Sequence, residues 1–485
     1  MKILFVLNRL VHVRHFDRAV RLLADRGHDV CLASQEDDTE PIGEVAGHAR
    51  ITTTRAPQTR SDDWQTPTKT LRRVRDYLRY LHPRYADARP LRYRAFEEMV
   101  SAVSARRAQH LTPEWSELLV GLEEWEQRRL DAILAKIESA VPSDPDIRAF
   151  LAAQRPDLLV LSPMVGVGYS QADFVKSARE LQMPSGMLVF SWDNLSNKGL
   201  IHERPDCMWV WNDIQRDEAV TLHDFPADNV VVTGAARFDA FFEMRPAIAR
   251  DELCAQLGLD AGRPILTYLC SSKFVAPHER SFVDRWIARL RNSGDPALQQ
   301  CNVIVRPHPA GVKEWHAEER SVIRWPRTHK DIKASASHPF DDRQVVVMSS
   351  AMRNADQVLY DTLHHSAAVV GLNTSAEIEA AIVGRPVCTV LESGAEGQKG
   401  TLHFRYLLKS EGGHVEVAET LDQHAGHLSD VLAGRYDSAA IAAFVKRFVR
   451  PLGLEQPVSP ILADAIEAAT ARTTPATVAS LTSDL

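Results

Sequence analysis

Residues 369–390, VVGLNTSAEIEAAIVGRPVCTV, constrain the fold of this chain more than any other stretch. They predict a strand, a tight turn, a helix and a second strand. Thr374 or Ser375 can cap the helix, whose apolar positions recur at helical spacing until Gly384 and Pro386 end it. A βαβ unit of this kind places the N-terminus of its helix at the carboxyl edge of a parallel sheet, where phosphates bind.

Two carboxylates, Glu377 and Glu379, follow in the first turns of the predicted helix. A pyrophosphate on the helix amides would leave a ribose about one turn further along, where a carboxylate can accept bonds from its hydroxyls. The residues alone leave two interpretations open. The segment is either a nucleotide-sugar site, or an ordinary helix start in which Thr374 is a cap and Glu377 compensates the helix dipole.

The segment TSAEIEAAIVGRPV resembles the donor-binding segment of GT-B glycosyltransferases, a superfamily that includes the nucleotide-sugar 2-epimerases. In that family a Glu lies five residues before a Gly, and a Pro follows two residues later; Glu379, Gly384 and Pro386 keep this spacing. The resemblance implies that Glu379 binds the ribose of the donor. It also places Thr374 and Ser375 near the donor phosphates, and we expect Asn373, in the turn before them, to contribute to donor binding.

Two further elements of the second half carry polar side chains at strand ends. Ser271, Ser272 and Lys273 follow an apolar run, and the resemblance implies that this loop contacts the donor phosphates. Another apolar run leads into Arg306-Pro307-His308-Pro309, whose prolines fix the backbone around the basic residues.

This RPHP element resembles the HP motif of bacterial capsule and teichoic-acid transferases, in which the His contacts the donor phosphate and assists its departure. Charge builds on that phosphate in the transition state, and a cationic Arg306 or His308 would offset it without a metal. The resemblance therefore implies donor contacts for both residues and a catalytic role for His308.

The N-terminal half begins with a strand, a polar loop, a helix and the RGHDV turn, which resembles the first unit of a GT-B N-terminal domain. It lacks GxGxxG, which argues against an NAD site. His15, in the loop, is a candidate general base, and the alternative is a surface histidine with a capping role. Asp193 follows the apolar run PSGMLVFS and is a second candidate base or acceptor-orienting group, or else part of an Asx turn.

Helical patterns near 70–82, 89–110 and 113–141 interrupt the α/β alternation and predict a helical insertion at about 69–141. The last pattern has an apolar stripe with EEWEQRR on the other side. We expect that stripe to be ordinary core; the alternative is a surface for an acceptor, a partner or a membrane. The stripe comprises Trp115, Leu118, Leu119, Leu122, Trp125 and Leu130.

Composition fits a two-domain enzyme, because 485 residues exceed the size at which one core usually splits. The net charge of −7 argues against a nucleic-acid binder. Six scattered cysteines without CxxC spacing predict reduced thiols and no metal site. The start MKILFVLNRL is too short an apolar run for a signal peptide, and no run of transmembrane length follows. We therefore expect a cytoplasmic protein, with transient peripheral contact at the inner face of the membrane.

These observations predict an α/β protein of GT-B type, with two Rossmann-like domains facing an interdomain cleft. The predicted boundaries are 1–245 for the acceptor domain, 246–455 for the nucleotide-sugar domain and 456–485 for a crossover helix and tail. Such an enzyme needs a nucleotide-sugar donor as substrate, a glycan or lipid-linked glycan acceptor, and no metal or other cofactor.

The resemblance implies a metal-independent glycosyltransferase that acts on a surface polysaccharide or lipid-linked glycan. A nucleotide-sugar 2-epimerase is an alternative, although of that family's HRREN-like segment only His278-Glu279-Arg280 is similar. A second alternative is a non-catalytic nucleotide-binding subunit of a polysaccharide assembly complex.

Overall fold

The computed structural model describes residues 1–38, 43–104, 110–117, 119–166, 171–315, 321–325, 332–350, 355–392 and 395–472. The chain divides into two compact units. Unit 1 comprises Met1–Asp239 together with Phe448–Leu485, and unit 2 comprises Ala240–Arg447. The sequence predicts the first boundary between residues 245 and 246 and the second between residues 455 and 456.

Unit 1 is built on a seven-stranded parallel sheet of order β3-β2-β1-β4-β5-β6-β7. The central strand β1 is buried from Ile3 to Leu7, as expected for a parallel strand covered on both faces. The strands are β1 (Lys2–Leu7), β2 (Asp29–Ser34), β3 (Ile51–Arg55), β4 (Leu158–Ser162), β5 (Ser185–Leu188), β6 (Cys207–Val210) and β7 (Val230–Val232).

Helices connect these strands, and three of them form the predicted insertion between β3 and β4. They are α1 (Asp17–Asp25), the insertion helices α2 (Gln65–Arg79), α3 (Arg89–Val103) and α4 (Glu124–Ser139), and α5 (Pro145–Gln154), α6 (Gln171–Glu180), α7 (Asn194–Asn197) and α8 (Asp213–His223).

A buried ion network fixes the insertion to the rest of unit 1. Arg72 on α2 binds Glu138 on α4 (Nε to Oε1, 2.6 Å) and Asp173 on α6 (Nη1 to Oδ2, 2.8 Å). Arg60 also binds Asp173, with 3.0 Å between Nη1 and Oδ1. Burial raises the pKa of Asp173, but the two guanidiniums outweigh it and hold that pKa below its usual value. Charged side chains therefore occupy the inward side of the insertion.

The insertion departs from the sequence prediction in two ways. Residues 113–141 form a 3₁₀ turn at Pro113–Glu117 and the separate helix α4, because a capping box of Glu123 and Glu126 starts a new helix. The prediction that the apolar stripe is core is wrong, since Trp115, Leu119 and Trp125 are exposed. Leu118 lies outside the described residues.

Unit 2 contains an eight-stranded sheet of order β10-β11-β12-β9-β8-β13-β14-β15, parallel except where β11 pairs antiparallel with β10 and β12. The polar sequence between β10 and β12 contributes strand β11. The strands are β8 (Ile265–Leu269), β9 (Asn302–Arg306), β10 (Ser321–Trp325), β11 (Ile332–Ser337), β12 (Val345–Ser350), β13 (Ala368–Gly371), β14 (Val387–Val390) and β15 (Val415–Ala418).

Helices cover this sheet, and its core includes Tyr268, Trp286 and Leu372. The helices are α9 (Asp239–Glu243), which begins at the boundary, α10 (Arg250–Leu257), α11 (Glu279–Arg291), α12 (Pro296–Gln299), α13 (Ala355–His365), α14 (Ala376–Ile382), α15 (Glu396–Lys399), α16 (Leu421–Leu432) and α17 (Ser438–Phe448).

After unit 2 the chain returns to unit 1 and ends its described part in α18 (Val458–Arg472). Leu462 and Ile466 of this helix join the core that also contains Phe5 of β1. The buried carboxylate of Asp239 accepts bonds from Arg450 (2.7 Å) and from the backbone N–H groups of Val458 (3.0 Å) and Ser459 (2.7 Å). Asp239 thus joins the point where the chain leaves unit 1 to the point where it returns. Among the described residues, no helix is long and apolar enough to span a membrane.

Candidate functional site

The predicted donor-binding residues meet at one edge of the unit 2 sheet. Strands β9, β8 and β13 are adjacent and parallel, so their carboxyl ends lie side by side. Ser271 follows β8, His308 follows β9 and Asn373 follows β13. This edge is where ligands bind in open α/β sheets.

A pocket of ≈390 Å³ lies at this edge, within unit 2. Three predicted residues, Ser271, Lys273 and His308, contribute to its wall. The other lining residues are Ala276, Pro277, His278, Glu279, Arg280, Ser281, Asp284, Gly311 and Trp315. The wall does not include Arg306, Ser272, Glu379 or residues 373–375 among the described residues.

Glu279, the first residue of α11, holds the loop after β8 in place. The backbone N–H of Ser271 donates to both carboxylate oxygens of Glu279 at 2.9 Å, and the Tyr268 hydroxyl donates to Oε1 at 3.0 Å. Burial raises the pKa of Glu279 to about 7, against the lowering effect of the Ser271 and Tyr268 bonds. Glu279 is not among the predicted site residues; the signal for it in the sequence is the His278-Glu279-Arg280 triplet at a helix start.

Arg280 lies beside Glu279 in the pocket wall and is held by aromatic rings. Its guanidinium carbon is 4.2 Å from the ring centre of Phe340 and 5.4 Å from that of Trp315. Stacking of this kind orients the charged group, and Asp284, one turn further along α11 in the same pocket wall, pairs with it (Nε to Oδ1, 3.4 Å). Together with the exposed Lys273, Arg280 gives the pocket two cationic groups.

His308 is half-buried, and its backbone carbonyl accepts a bond from Gly311 (2.8 Å). Burial lowers the pKa of its imidazole below 6.5, so the ring is neutral at pH 7. A neutral imidazole can donate one hydrogen bond and accept another. Of the groups in this wall, Lys273 and Arg280 therefore carry the positive charge, and His308 can take up a proton.

Arg306 lies at the end of β9, where its side chain reaches two hydroxyls, those of Thr362 and Ser350, each at 3.4 Å. Burial lowers the pKa of Arg306 to about 10, and the buried carboxylate of Glu379 acts in the opposite direction. Arg306 and Glu379 are thus electrostatically coupled.

The start of α14 differs from the expected helix cap. Ser375 occupies the N-cap position in helical conformation (φ −60°, ψ −21°) and makes no side-chain capping bond. A side-chain cap usually needs an extended backbone at this position, so the prediction of capping is wrong for Ser375. The side chains of Thr374 and Ser375 are half-buried, and the Asn373 amide donates to the Thr401 hydroxyl at 2.8 Å.

Glu377 is buried completely, so it does not compensate the helix dipole from the surface. Neither of its carboxylate oxygens has a hydrogen-bond partner among the described residues. A methyl group added to Gly371 would lie 2.4 Å from Oε1 of Glu377, which shows how tightly the carboxyl packs on β13. Burial raises the pKa of Glu377 to about 8, and the charge of Glu279 adds to this rise. Glu377 is therefore largely protonated at pH 7.

His15 and Asp193, the two candidate bases, both lie in unit 1. The His15 ring is buried and stacks on Phe190, with 4.5 Å between ring centres, so the surface alternative is wrong. Burial and the charge of Arg237 lower the pKa of His15 well below 6.5. Asp193 accepts a bond from the Ser191 hydroxyl (2.7 Å) and pairs with Lys198 (3.0 Å). Within the described ranges, no group of three or more His, Cys, Asp or Glu side chains is placed to hold a metal ion.

No protein-family model and no curated protein matches the sequence. Solved structures do match over nearly the whole chain. A Listeria monocytogenes protein assigned as a UDP-N-acetylglucosamine 2-epimerase gives a TM-score of 0.50 at 11% identity, over 96% of each chain. A Rickettsia africae glycosyltransferase gives 0.49 at 8% identity, over 96% of this chain and 98% of that one. Anabaena HepE in complex with UDP gives 0.48 at 12% identity, over 96% and 100%.

At these identities the likeness concerns the fold. The match to the Listeria protein, with two mostly parallel sheets flanked by helices, confirms the predicted α/β fold of GT-B type.

Proposed function

We propose that the chain is a metal-independent glycosyltransferase that moves a sugar from a nucleotide-activated donor to a polysaccharide or lipid-linked glycan acceptor. The observation that carries the proposal is the pocket at the carboxyl edge of the unit 2 sheet. Ser271, Lys273 and His308, chosen from the sequence as donor contacts on two separate strands, line that one pocket.

The two basic side chains of the pocket suit a diphosphate, which would take the place of Asp284 as a partner of Arg280. Lys273 and Arg280 offer positive charge, and the stacked position of Arg280 limits the reorganisation needed when the donor binds. His308, neutral beforehand, would donate a hydrogen bond to the phosphate that departs from the sugar. Its affinity for a proton would rise as negative charge builds there, so His308 would stabilise the leaving group.

In the same proposal Glu379 accepts hydrogen bonds from the ribose hydroxyls. The positive charge of Arg306 keeps the Glu379 carboxyl ionised for this role. The hydroxyls of Thr374 and Ser375 contact the donor phosphates, as do Asn373 and Ser272. His15 and Asp193 remain candidates for the base that activates the acceptor hydroxyl. The nucleotide-sugar is a substrate, and we propose no further cofactor.

We place the enzyme in the cytoplasm. Six free cysteines, all buried, suit a reducing compartment.

A second candidate function is nucleotide-sugar 2-epimerisation. It is favoured by Glu279, a carboxyl in the pocket wall whose pKa of about 7 suits proton transfer at neutral pH. An epimerase forms its product from the donor alone, whereas a glycosyltransferase requires an acceptor. Incubation of the protein with the bound nucleotide-sugar, with and without glycan acceptors, therefore separates the two activities.

Thermal unfolding against UDP, GDP, ADP, TDP, CDP and CMP tests the donor site. A ligand at about a hundredfold over its dissociation constant stabilises the folded protein by about 2.7 kcal/mol, which shifts the midpoint by a few degrees. We expect one nucleotide to respond, equally with and without EDTA. A response that disappears with EDTA would contradict a metal-independent site.

Two substitutions test the assigned roles. Glu379→Ala is expected to weaken nucleotide binding, and His308→Ala mainly to lower turnover, with little change in nucleotide binding at alkaline pH, where His308 is neutral. Glu419→Ala, at an exposed glutamate of the same unit, is the control. Equal losses of binding and turnover in both variants would contradict the division of roles. Binding without any turnover would favour a non-catalytic subunit.

A further inference from the structure

The helical insertion holds the loop after β5, residues 190–200, by its backbone. All five carbonyl oxygens of residues 195–199 accept hydrogen bonds from side chains of the insertion. The donors are Arg79 to Leu195, Lys198 (2.8 Å) and Gly199 (2.9 Å), Tyr80 to Lys198 (2.8 Å), Tyr85 to Ser196 (3.0 Å) and Arg94 to Asn197 (2.5 Å). These carbonyls lie at the end of α7 and just beyond it, where a helix leaves its last carbonyls without partners. The insertion supplies those partners.

Arg79 is a buried cation that is committed to this loop. Its guanidinium donates to three of the five carbonyls and to the hydroxyl of Tyr85 (3.0 Å), and it forms no ion pair among the described residues. Burying a charge without a counter-charge destabilises a fold, whereas the planar fork of an arginine can bind several carbonyls at once. Asp76, three residues earlier on α2, fixes the end of the loop by accepting from the N–H of Leu200 (2.6 Å). The contacts therefore fix the shape of the loop at a cost to stability.

The loop carries two charged side chains, Asp193 and Lys198, and both are partly exposed. They pair with 3.0 Å between Oδ2 and Nζ, and the Ser191 hydroxyl donates to the other carboxylate oxygen of Asp193 at 2.7 Å. These bonds orient the carboxylate. A carboxylate has about four acceptor positions, so Asp193 can also accept from a ligand hydroxyl. It follows β5 at the carboxyl edge of the sheet, where ligands bind in open α/β sheets.

His15, the other candidate base, lacks this support. Its ring is buried and stacks on Phe190, and no hydrogen bond within the described residues orients the imidazole. The side chain of Asp193 is 21% exposed, so a substrate hydroxyl can approach it. A catalytic base needs both access to the proton and a fixed orientation, and Asp193 has the two together.

We propose that Asp193 is the base that activates the acceptor hydroxyl and that Arg79 is a positioning residue, through which the insertion holds Asp193 in place. This inference rests on the proposed function. Asp193 takes the proton of the acceptor hydroxyl, and the oxygen of that hydroxyl forms the new bond to the donor sugar. The bond between this sugar and the donor phosphate breaks, and its electron pair leaves with the phosphate. Arg79 acts on the loop and touches no substrate.

The test compares Arg79→Met with the parent protein in two measurements. In initial rates of transfer, with the nucleotide-sugar and the glycan that the parent protein uses, we expect kcat to fall at least about tenfold while KM for the nucleotide-sugar stays within about twofold. In hydrogen–deuterium exchange of the protein without ligand, the loop amides, such as that of Gly199, should exchange at least about tenfold faster. Tyr80→Phe, which removes a single hydroxyl, should shift both quantities in the same direction, and it decides the test if Arg79→Met does not fold.

A double-mutant cycle shows whether Arg79 acts through Asp193. Asp193→Asn alone should lower kcat at least about a hundredfold, and adding Arg79→Met should lower it by no more than about twofold further. Arg73→Met is the matched control, because Arg73 also lies on α2 but binds the Glu98 carbonyl (2.9 Å) and the Ser101 hydroxyl (3.0 Å) instead of the loop. It should leave kcat and the exchange of the loop unchanged. Circular dichroism and the nucleotide-induced thermal shift confirm that each variant is folded.

Three results would overturn the proposal. Arg79→Met could transfer sugar, or exchange its loop amides, at the rate of the parent protein. Arg73→Met could lose as much activity as Arg79→Met, or Arg79→Met could have the same effect with and without Asp193. A parent protein that binds the nucleotide but transfers no sugar would instead contradict the proposed function, and the role of Asp193 with it.

Discussion

Replacement of Glu377 by Met is expected to stabilise unit 2, and the gain should grow with pH. The carboxyl of Glu377 is completely buried, without a hydrogen-bond partner for either oxygen among the described residues, and its pKa is raised from 4.5 to about 8. At pH 7 the folded protein therefore holds a proton there that the unfolded chain has released. Since the folded state binds more protons between these two values, its stability falls as pH rises through that window.

The magnitude follows from the two pKa values. Each pKa unit corresponds to about 1.4 kcal/mol. The raised pKa of Glu377 therefore lowers the free energy of unfolding by under about 1 kcal/mol near pH 5, by about 3 kcal/mol at pH 7, and by about 5 kcal/mol above pH 8. Met has a similar length and helix propensity and no ionisable group, so the variant avoids this cost. It also removes the penalty of burying a polar group without partners.

Urea unfolding at about pH 5 and about pH 8 measures the effect, with intrinsic fluorescence as the probe. Glu419→Met, at an exposed glutamate of unit 2, is the control and should show no comparable dependence on pH. The reasoning is refuted if the difference between Glu377→Met and the parent protein is the same at both pH values. It is also refuted if the variant is the less stable protein at pH 8.

Three further outcomes are expected. Asp173→Asn removes a counter-charge from the buried guanidiniums of Arg60 and Arg72, and should lower the free energy of unfolding of unit 1 by about 3–5 kcal/mol, measured with urea. The control Asp430→Asn, in an exposed ion pair, should lower it by under about 1 kcal/mol. Nucleotide affinity should rise as the pH is lowered from neutrality, because a bound phosphate raises the lowered pKa of His308. Calorimetry in two buffers should detect the proton uptake, and His308→Gln should abolish it. Gly371→Ala should lower the free energy of unfolding by about 1–3 kcal/mol, because the added methyl group clashes with Glu377. In a double-mutant cycle, the same substitution should lower it by less in a Glu377→Ala background.

The fold was predictable because its signals are local. The alternation of short apolar runs with amphipathic helices indicated two parallel sheets, and the match at TM-score 0.50 confirms the GT-B type. The positions of Ser271 and His308 followed from the same rule, since polar residues after adjacent parallel strands share one edge.

The details that the sequence did not reveal depend on packing between distant residues. Glu377 and Glu379 lie two residues apart in the first turn of one helix and both are buried, and only the contact of α14 with Gly371 places the Glu377 carboxyl against β13. The orientation of α4 depends on Arg72 and Arg75, which are more than sixty residues away from Glu138 and turn its polar side inward. Hydrophobic periodicity assumes that the apolar side faces the core, and a buried ion network reverses that assumption.

The return of the chain to unit 1 has a consequence for how the protein is synthesised. The core of the first sheet needs Leu462 and Ile466, yet about 200 residues of unit 2 leave the ribosome before them. At roughly 5–20 residues per second, the nascent sheet waits on the order of 10–40 s with part of its apolar surface uncovered. The core of unit 1 can therefore be complete only after all of unit 2 has been synthesised, although the first strand of unit 1 is made first.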